Sequence, residues 1–282
     1  MSKRNFLKMF ILDTKEAIKK NLGYCLLILT FLYAEKEKLK NVFSIIEIKE
    51  KNIGIMDYLI FLFKGLETYS SDSGKVFEIS SEWLLIQIIP VLMVISYIRR
   101  DLYQLNFQTI IKLGSRKTWW NEKCAWACEM ALGFYCLIYI FGFLCCFKED
   151  KLINYDFWRE AYGITFENYT TFQWINSLVI IQILNAIFTI LCFVLITVII
   201  NESISIILNI ILNVITMYYT SAFLLGNNTM ILRNADLING KLNINNCYFV
   251  YIALIIMVIV IGNIYVEKCD LKDFMKDRGR DI

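Results

Sequence analysis

Nine cysteines, a carboxylate set inside a long apolar run, two rows of amides and no histidine define the chemistry open to this chain. Imidazole is the commonest general base near neutral pH and the commonest ligand of catalytic zinc, so its absence disfavours an intramembrane metalloprotease or a haem-carrying subunit. The cysteines form no C-x-x-C pair, and Cys136, Cys145, Cys146 and Cys192 lie inside apolar runs, where a thiol behaves as a small hydrophobe. They are expected to be reduced and to hold no metal, with Cys247 alone near the outer face. No G-x-x-x-x-G-K-[ST] loop is present to cradle phosphates, and no Ser/Lys or paired-Asp set stands within the apolar runs. The chain is therefore expected not to be an enzyme, to carry no cofactor and to bind no nucleic acid.

Glu129 is the acid within an apolar run, and an ionisable residue there is a functional candidate by default. It lies about two turns from the inner end of its run, so its carboxylate could also reach the headgroups. Gln182, Asn185 and Thr189 share one helical face, and Asn201, Ser205, Asn209 and Asn213 recur every four residues. Such side chains either bond to neighbouring helices, for about 1 kcal/mol or less, or line a path. Glu129, Gln182, Asn185, Asn209 and Asn213 are the candidates for a path.

The elements that carry these residues are membrane helices. Apolar residues make up 57% of the 282 positions and the mean hydropathy is +0.53, so soluble-domain arithmetic does not apply. A crossing needs roughly 20 residues. Six spans are expected near 22–40, 83–99, 124–147, 174–200, 203–225 and 247–266, giving an all-α polytopic protein with one transmembrane domain over 1–282. The first apolar run starts only after "MSKRNFLKMFILDTKEAIKKN" and no small-residue cleavage site follows, so insertion without cleavage is expected.

Charge sets the orientation. Lysine and arginine are retained on the cytosolic side, and they cluster in 1–21, in 99–123 and in 267–282. The segment 148–173 is acid-rich instead, with Glu149, Asp150, Asp156, Glu160 and Glu167 against Lys148, Lys151 and Arg159. Both termini are expected in the cytosol of a cell-membrane protein, with 41–82 and 148–173 outside. Within 41–82, "IGIMDYLIFLFKGLE" is too short in its apolar part to cross and is expected as a short helix lying at the outer surface. The stretch 3–21 combines basic residues with an apolar stripe, the pattern of a helix lying in the membrane interface, and predicts an elbow helix leading into the first span.

Between the second and third spans the chain reads "SYIRRDLYQLNFQTIIKLGSRKTWWNEK". Gly114 can take the left-handed conformation that stops a helix, so a helix, a sharp turn and a new helix starting at Arg116 are expected. Arg116 and Lys117 could anchor the membrane boundary while Trp119 and Trp120 sit in the interfacial belt.

The order of elbow, span, outer segment, span, and then Arg100, Ile110, Gly114, Ser115, Arg116, Trp119, Trp120 and Lys123 before a third span resembles the membrane subunits of ABC-2-type transporters from Gram-positive bacteria. The resemblance implies that the cytosolic region between spans two and three, together with the elbow, rests on an ATP-binding subunit that supplies ATP and Mg. Arg99, Arg100, Gly114, Ser115, Arg116, Lys117, Trp119 and Trp120 would then form the coupling surface. It further implies a second permease subunit, as a homo- or heterodimer, an amphipathic substrate such as a peptide, lipid or drug, and short re-entrant helices on the outer side. The candidate for these is 226–246, with Met230, Ile231 and Leu232 followed by Leu237 and Ile238. Two rival readings are a membrane scaffold or sensor without a path and an ion-coupled carrier. The carrier is disfavoured by the near absence of proline and glycine at mid-span.

Overall fold

A computed structural model describes residues 3–46, 53–68, 79–104, 115–146, 152–166, 169–234, 242 and 247–268, with the backbone alone for 3–5 and 99–104. The regular secondary structure of these residues is helical, without a strand. In chain order the helices are α1 (Lys3–Lys20), α2 (Leu22–Ile45), α3 (Ile55–Phe63), α4 (Ser81–Gln104), α5 (Arg116–Cys146), α6 (Tyr155–Tyr162), α7 (Thr171–Ile199), α8 (Glu202–Tyr218) and α9 (Cys247–Lys268).

Among the described residues four helices are long and apolar enough to cross a membrane: Ser81–Ile98 of α4, α5, α7 and α9. The pair Phe6–Lys20 and Leu22–Ile45, bent by 57° at their junction, makes a fifth if counted as one span. The expected span at 203–225 is shorter as a helix, because α8 stops at Tyr218 and the chain re-enters the bundle as 3₁₀ turns at Leu225–Thr229 and Ile231–Arg233. α2 runs on to Ile45, past the expected boundary at 40.

Local sequence explains where these elements begin and end. Asn201 accepts a bond from the Ile204 amide at 2.8 Å and caps α8, which turns the chain back directly after α7. Thr170 and Gln173 form a reciprocal capping box at the start of α7, and a π turn at Asn176–Ile180 lies inside that helix. Ser115 accepts from the Thr118 amide at 3.2 Å, so the new helix does start at Arg116. The helix expected upstream of it lies outside the described residues at 105–114.

α3 is the short helix expected within 41–82, and its packing follows from its composition. Its run from Asp57 to Phe63 is buried throughout, because a nine-residue helix that is apolar all round has no face to give to water. It packs against α2, α4 and α5. Asp57 fixes it in place: the carboxylate accepts from the Gly54 amide at 2.9 Å, the Asn154 amide at 3.0 Å and the Trp158 indole at 2.7 Å. Burial pushes this carboxyl above its ordinary range, while those three donors pull the other way. α3 and α6 are thereby stapled together.

Contacts sort the helix ends into two groups. At one end α1 meets α5 through Asp13 and Lys123, and α5 meets α9 through Lys117 and Glu267 at 2.8 Å and through Asn121 and Asn263 at 2.9 Å. At the other end Lys38 of α2 pairs with Glu82 of α4, near the packed α3.

α5 and α9 approach closely at Gly262, where an added Cβ would collide with the Trp120 ring. The Trp120 indole donates to the Ile259 carbonyl at 3.0 Å, which holds the ring against that glycine. Gly262→Leu is expected to cost about 1–3 kcal/mol through overpacking. Trp120→Leu in the same chain should recover part of it, read as the unfolding midpoint of single and double variants in mixed micelles.

Candidate functional site

Trp119 and Trp120 are 1% and 0% exposed, so they pack inside the protein and do not form an interfacial belt. Their size explains this: a tryptophan on a helix flanked by two others removes far more apolar surface from water between helices than at a boundary. Around them the structure gathers a charged cluster that the sequence does not reveal. Lys123 on α5 forms an ion pair with Asp13 on α1 and lies 3.3 Å from the Glu122 carboxylate. The Tyr97 hydroxyl of α4 donates to the other Asp13 oxygen at 3.0 Å, and the ammonium lies 5.8 Å from the centre of the Tyr97 ring. Asp13, Glu122 and Lys123 are all essentially inaccessible to solvent. An ammonium and two carboxylates so buried are tolerable because they meet one another.

Of the expected coupling residues, Ser115 caps α5 and its hydroxyl lies 2.7 Å from that of Thr118, Arg116 is half-buried, and Lys117 is exposed and paired with Glu267. Arg99 and Arg100 fall on the last turns of α4, where the backbone alone is described, and Gly114 lies outside the described residues. The structure therefore brings Ser115, Arg116, Lys117, Trp119 and Trp120 to one helix start, next to the end of α9.

The residues proposed for a path separate into three places. Gln182 and Asn185 belong to a buried polar band. Gln182 donates to the Thr229 carbonyl at 2.9 Å, Asn185 donates to Gln87 at 2.9 Å, and the Tyr251 hydroxyl lies between the Leu225 carbonyl at 2.7 Å and Asn185 at 3.2 Å. The Trp83 indole donates to the Thr229 hydroxyl at 2.8 Å. α4, α7 and α9 thus grip the 3₁₀ segment 225–229 through its polar atoms. Asn209 and Asn213 lie on the buried face of α8, and the Asn213 amide donates to both oxygens of Asn209 at 2.9 Å. Glu129 joins neither group and accepts from Thr14 of α1 at 2.7 Å.

The segment after α8 is held by a residue that sequence reasoning missed. Arg233 is fully buried, and its guanidinium donates to the carbonyls of Thr216 at 2.6 Å, Leu66 at 3.0 Å and Met217, and to the Asn227 side chain. These acceptors include the last carbonyls of α8, where the helix dipole is negative. A guanidinium stays charged when buried, and these oxygens take the place of water around it. Met230, Ile231 and Leu232, expected as a brief apolar touch at an outer gate, are buried beside it, and Leu237 and Ile238 lie outside the described residues.

Among the described residues no group of three or more His, Cys, Asp or Glu side chains is placed to hold a metal ion. Comparison with models of known protein families and with curated proteins finds no match for this chain. What stands is the class that the fold defines: an all-helical protein with four to five apolar helices able to span a membrane.

Proposed function

We propose that the chain is the permease subunit of an ABC-2-type exporter, acting with a second permease and driven by separate ATP-binding subunits that carry ATP and Mg. The observation that carries this reading is the ion pair between Asp13 of α1 and Lys123 of α5. It ties the bent N-terminal helix to the helix that begins at "SRKTWW", so a push on the 99–117 region and a push on α1 would move one body. A partner that hydrolyses ATP could drive the membrane helices through such a lever. The finer topology belongs to the same reading: six passes, both termini cytosolic, α1 as the interfacial elbow, and α8, about 26 Å long, as the fifth pass completed by the re-entrant turns. Leu7, Ile11 and Ile18 are exposed on α1 while Asp13 and Ala17 face the bundle, which suits a helix resting in lipid. The substrate class would be amphipathic.

One observation favours a scaffold without a transport path: the amides of Gln182 and Asn185 are spent on neighbouring helices. Co-expression with ATPases encoded beside the gene separates the two readings. The exporter should co-purify with an ATPase in detergent. Arg116→Lys should insert normally yet lower substrate-stimulated ATP hydrolysis roughly tenfold, as for one lost charge-assisted hydrogen bond, because lysine cannot reproduce the planar fork. A chain that purifies alone, or with partners that hydrolyse no ATP, favours the scaffold and ends the exporter reading.

A further inference from the structure

A cavity of about 220 Å³ opens where α1 bends into α2, walled on its other sides by α4 and α5. Its lining changes character along its length. Thr14, Asn21 and Glu129 supply polar groups at the bend, while Ile28, Phe134 and Leu137 supply hydrocarbon. Among the described residues neither lysine nor arginine lines it, and Glu129 is the charged group of its lining. The Glu129 carboxylate accepts from the Thr14 hydroxyl, and that hydroxyl also lies 2.9 Å from the Phe10 carbonyl, so its one proton is shared between two acceptors. A partly exposed carboxylate with no basic side chain beside it, at the mouth of an apolar cleft, attracts a cation that can donate hydrogen bonds.

The volume limits what such a ligand can bury. A site of this size lies below the usual range for a drug-sized molecule, so it takes a headgroup and the first part of a chain. The remainder must run outward, where Leu22, Leu26 and Leu29 expose the apolar side of α2. From this geometry we infer that the cleft between the α1–α2 bend and α5 binds an amphiphile with an ammonium headgroup, its nitrogen at Glu129 and its chain along α2. The ammonium could belong to an aminophospholipid of the bilayer or to a free alkylamine. This site requires no ATP-binding partner, so its test stands apart from the exporter reading.

The test is equilibrium binding of radiolabelled dodecylamine to the full chain in nanodiscs of phosphatidylglycerol, with empty discs subtracted. Saturable binding is expected, competed by neither dodecanol nor dodecyl phosphate. Glu129→Gln should weaken it roughly tenfold, the effect of one charge-assisted contact. Gly133→Leu supplies a second variant that tolerates folding. Gly133 lines the cavity, an added Cβ there meets no atom within 4 Å, and leucine favours a helix over glycine. It should abolish binding by filling the cleft. Competition by phosphatidylethanolamine mixed into the discs assigns the site to the lipid headgroup, and its absence assigns the site to free amines; both support the ammonium site. Unsaturable binding, equal binding in wild type and both variants, or equal competition by dodecanol overturns it.

Discussion

Lys123→Met is expected to destabilise the protein by about 3–5 kcal/mol, the cost of breaking a buried ion pair by removing one partner. Asp13→Asn should cost much less, about 1.5–3 kcal/mol. The asymmetry comes from the count of charges in the cluster. With Asp13 neutralised, the ammonium keeps Glu122 at 3.3 Å, and the asparagine oxygen can still accept from Tyr97. With Lys123 gone, Asp13 and Glu122 are left together at a site where both are buried, and two carboxylates in a low-dielectric site repel. Unfolding of each variant and of the double variant in mixed SDS micelles gives the midpoint shifts and the coupling between the two residues. Equal costs for the two single variants, or a coupling near zero, would mean that the cluster is not a clamp between α1 and α5. A chain in which Lys123→Met also releases α1 should show new proteolytic cleavage within 3–20.

The second large effect lies at the opposite end of the bundle. Arg233→Met removes the donors that serve α8 carbonyls and the Asn227 side chain, and each buried acceptor left unpaired costs about 1–3 kcal/mol. The expected outcome is release of 230–234 from the bundle rather than global unfolding, because Trp83, Gln182 and Tyr251 still hold 225–229. Met230→Cys, placed in a background without native cysteines, reads this directly. It should be protected from a small maleimide while Arg233 is present, since Met230 is fully buried, and should label when Arg233 is methionine. Arg233→Lys should give an intermediate rate, because an ammonium has three donors against the five of a guanidinium. Protection unchanged in Arg233→Met would show that the polar band alone secures the segment.

Burial of both charged clusters explains why neither stood out in the sequence. Lys123 and Arg233 look like the basic residues that flank membrane helices, and periodicity has no term for a partner 110 positions away in the chain. A weak signal was present at Asp13, which lies four residues before Ala17 on one face of an otherwise basic helix.

Composition and apolar run length were enough to determine that this is an all-helical chain with several membrane-capable helices, since 57% apolar content can be satisfied only by burial or lipid. Local chemistry placed the helix start at Arg116, because Gly114 can stop one helix just before the next begins, and in the structure Ser115 caps that start. Periodicity also marked the face of α8 that carries Ser205, Asn209 and Asn213, and all three are buried. Tertiary structure alone decided which polar residues are used up as glue and which face open space. Gln182 and Asn185 are engaged because 225–229 folds back between α4, α7 and α9, whereas Glu129 borders a cavity because the chain bends by 57° after Lys20. Likewise tertiary structure decided which helices cover the apolar run of α3, namely α2, α4 and α5. Hydropathy measures the preference of a side chain for leaving water, and it cannot distinguish lipid from a neighbouring helix as the place where it goes.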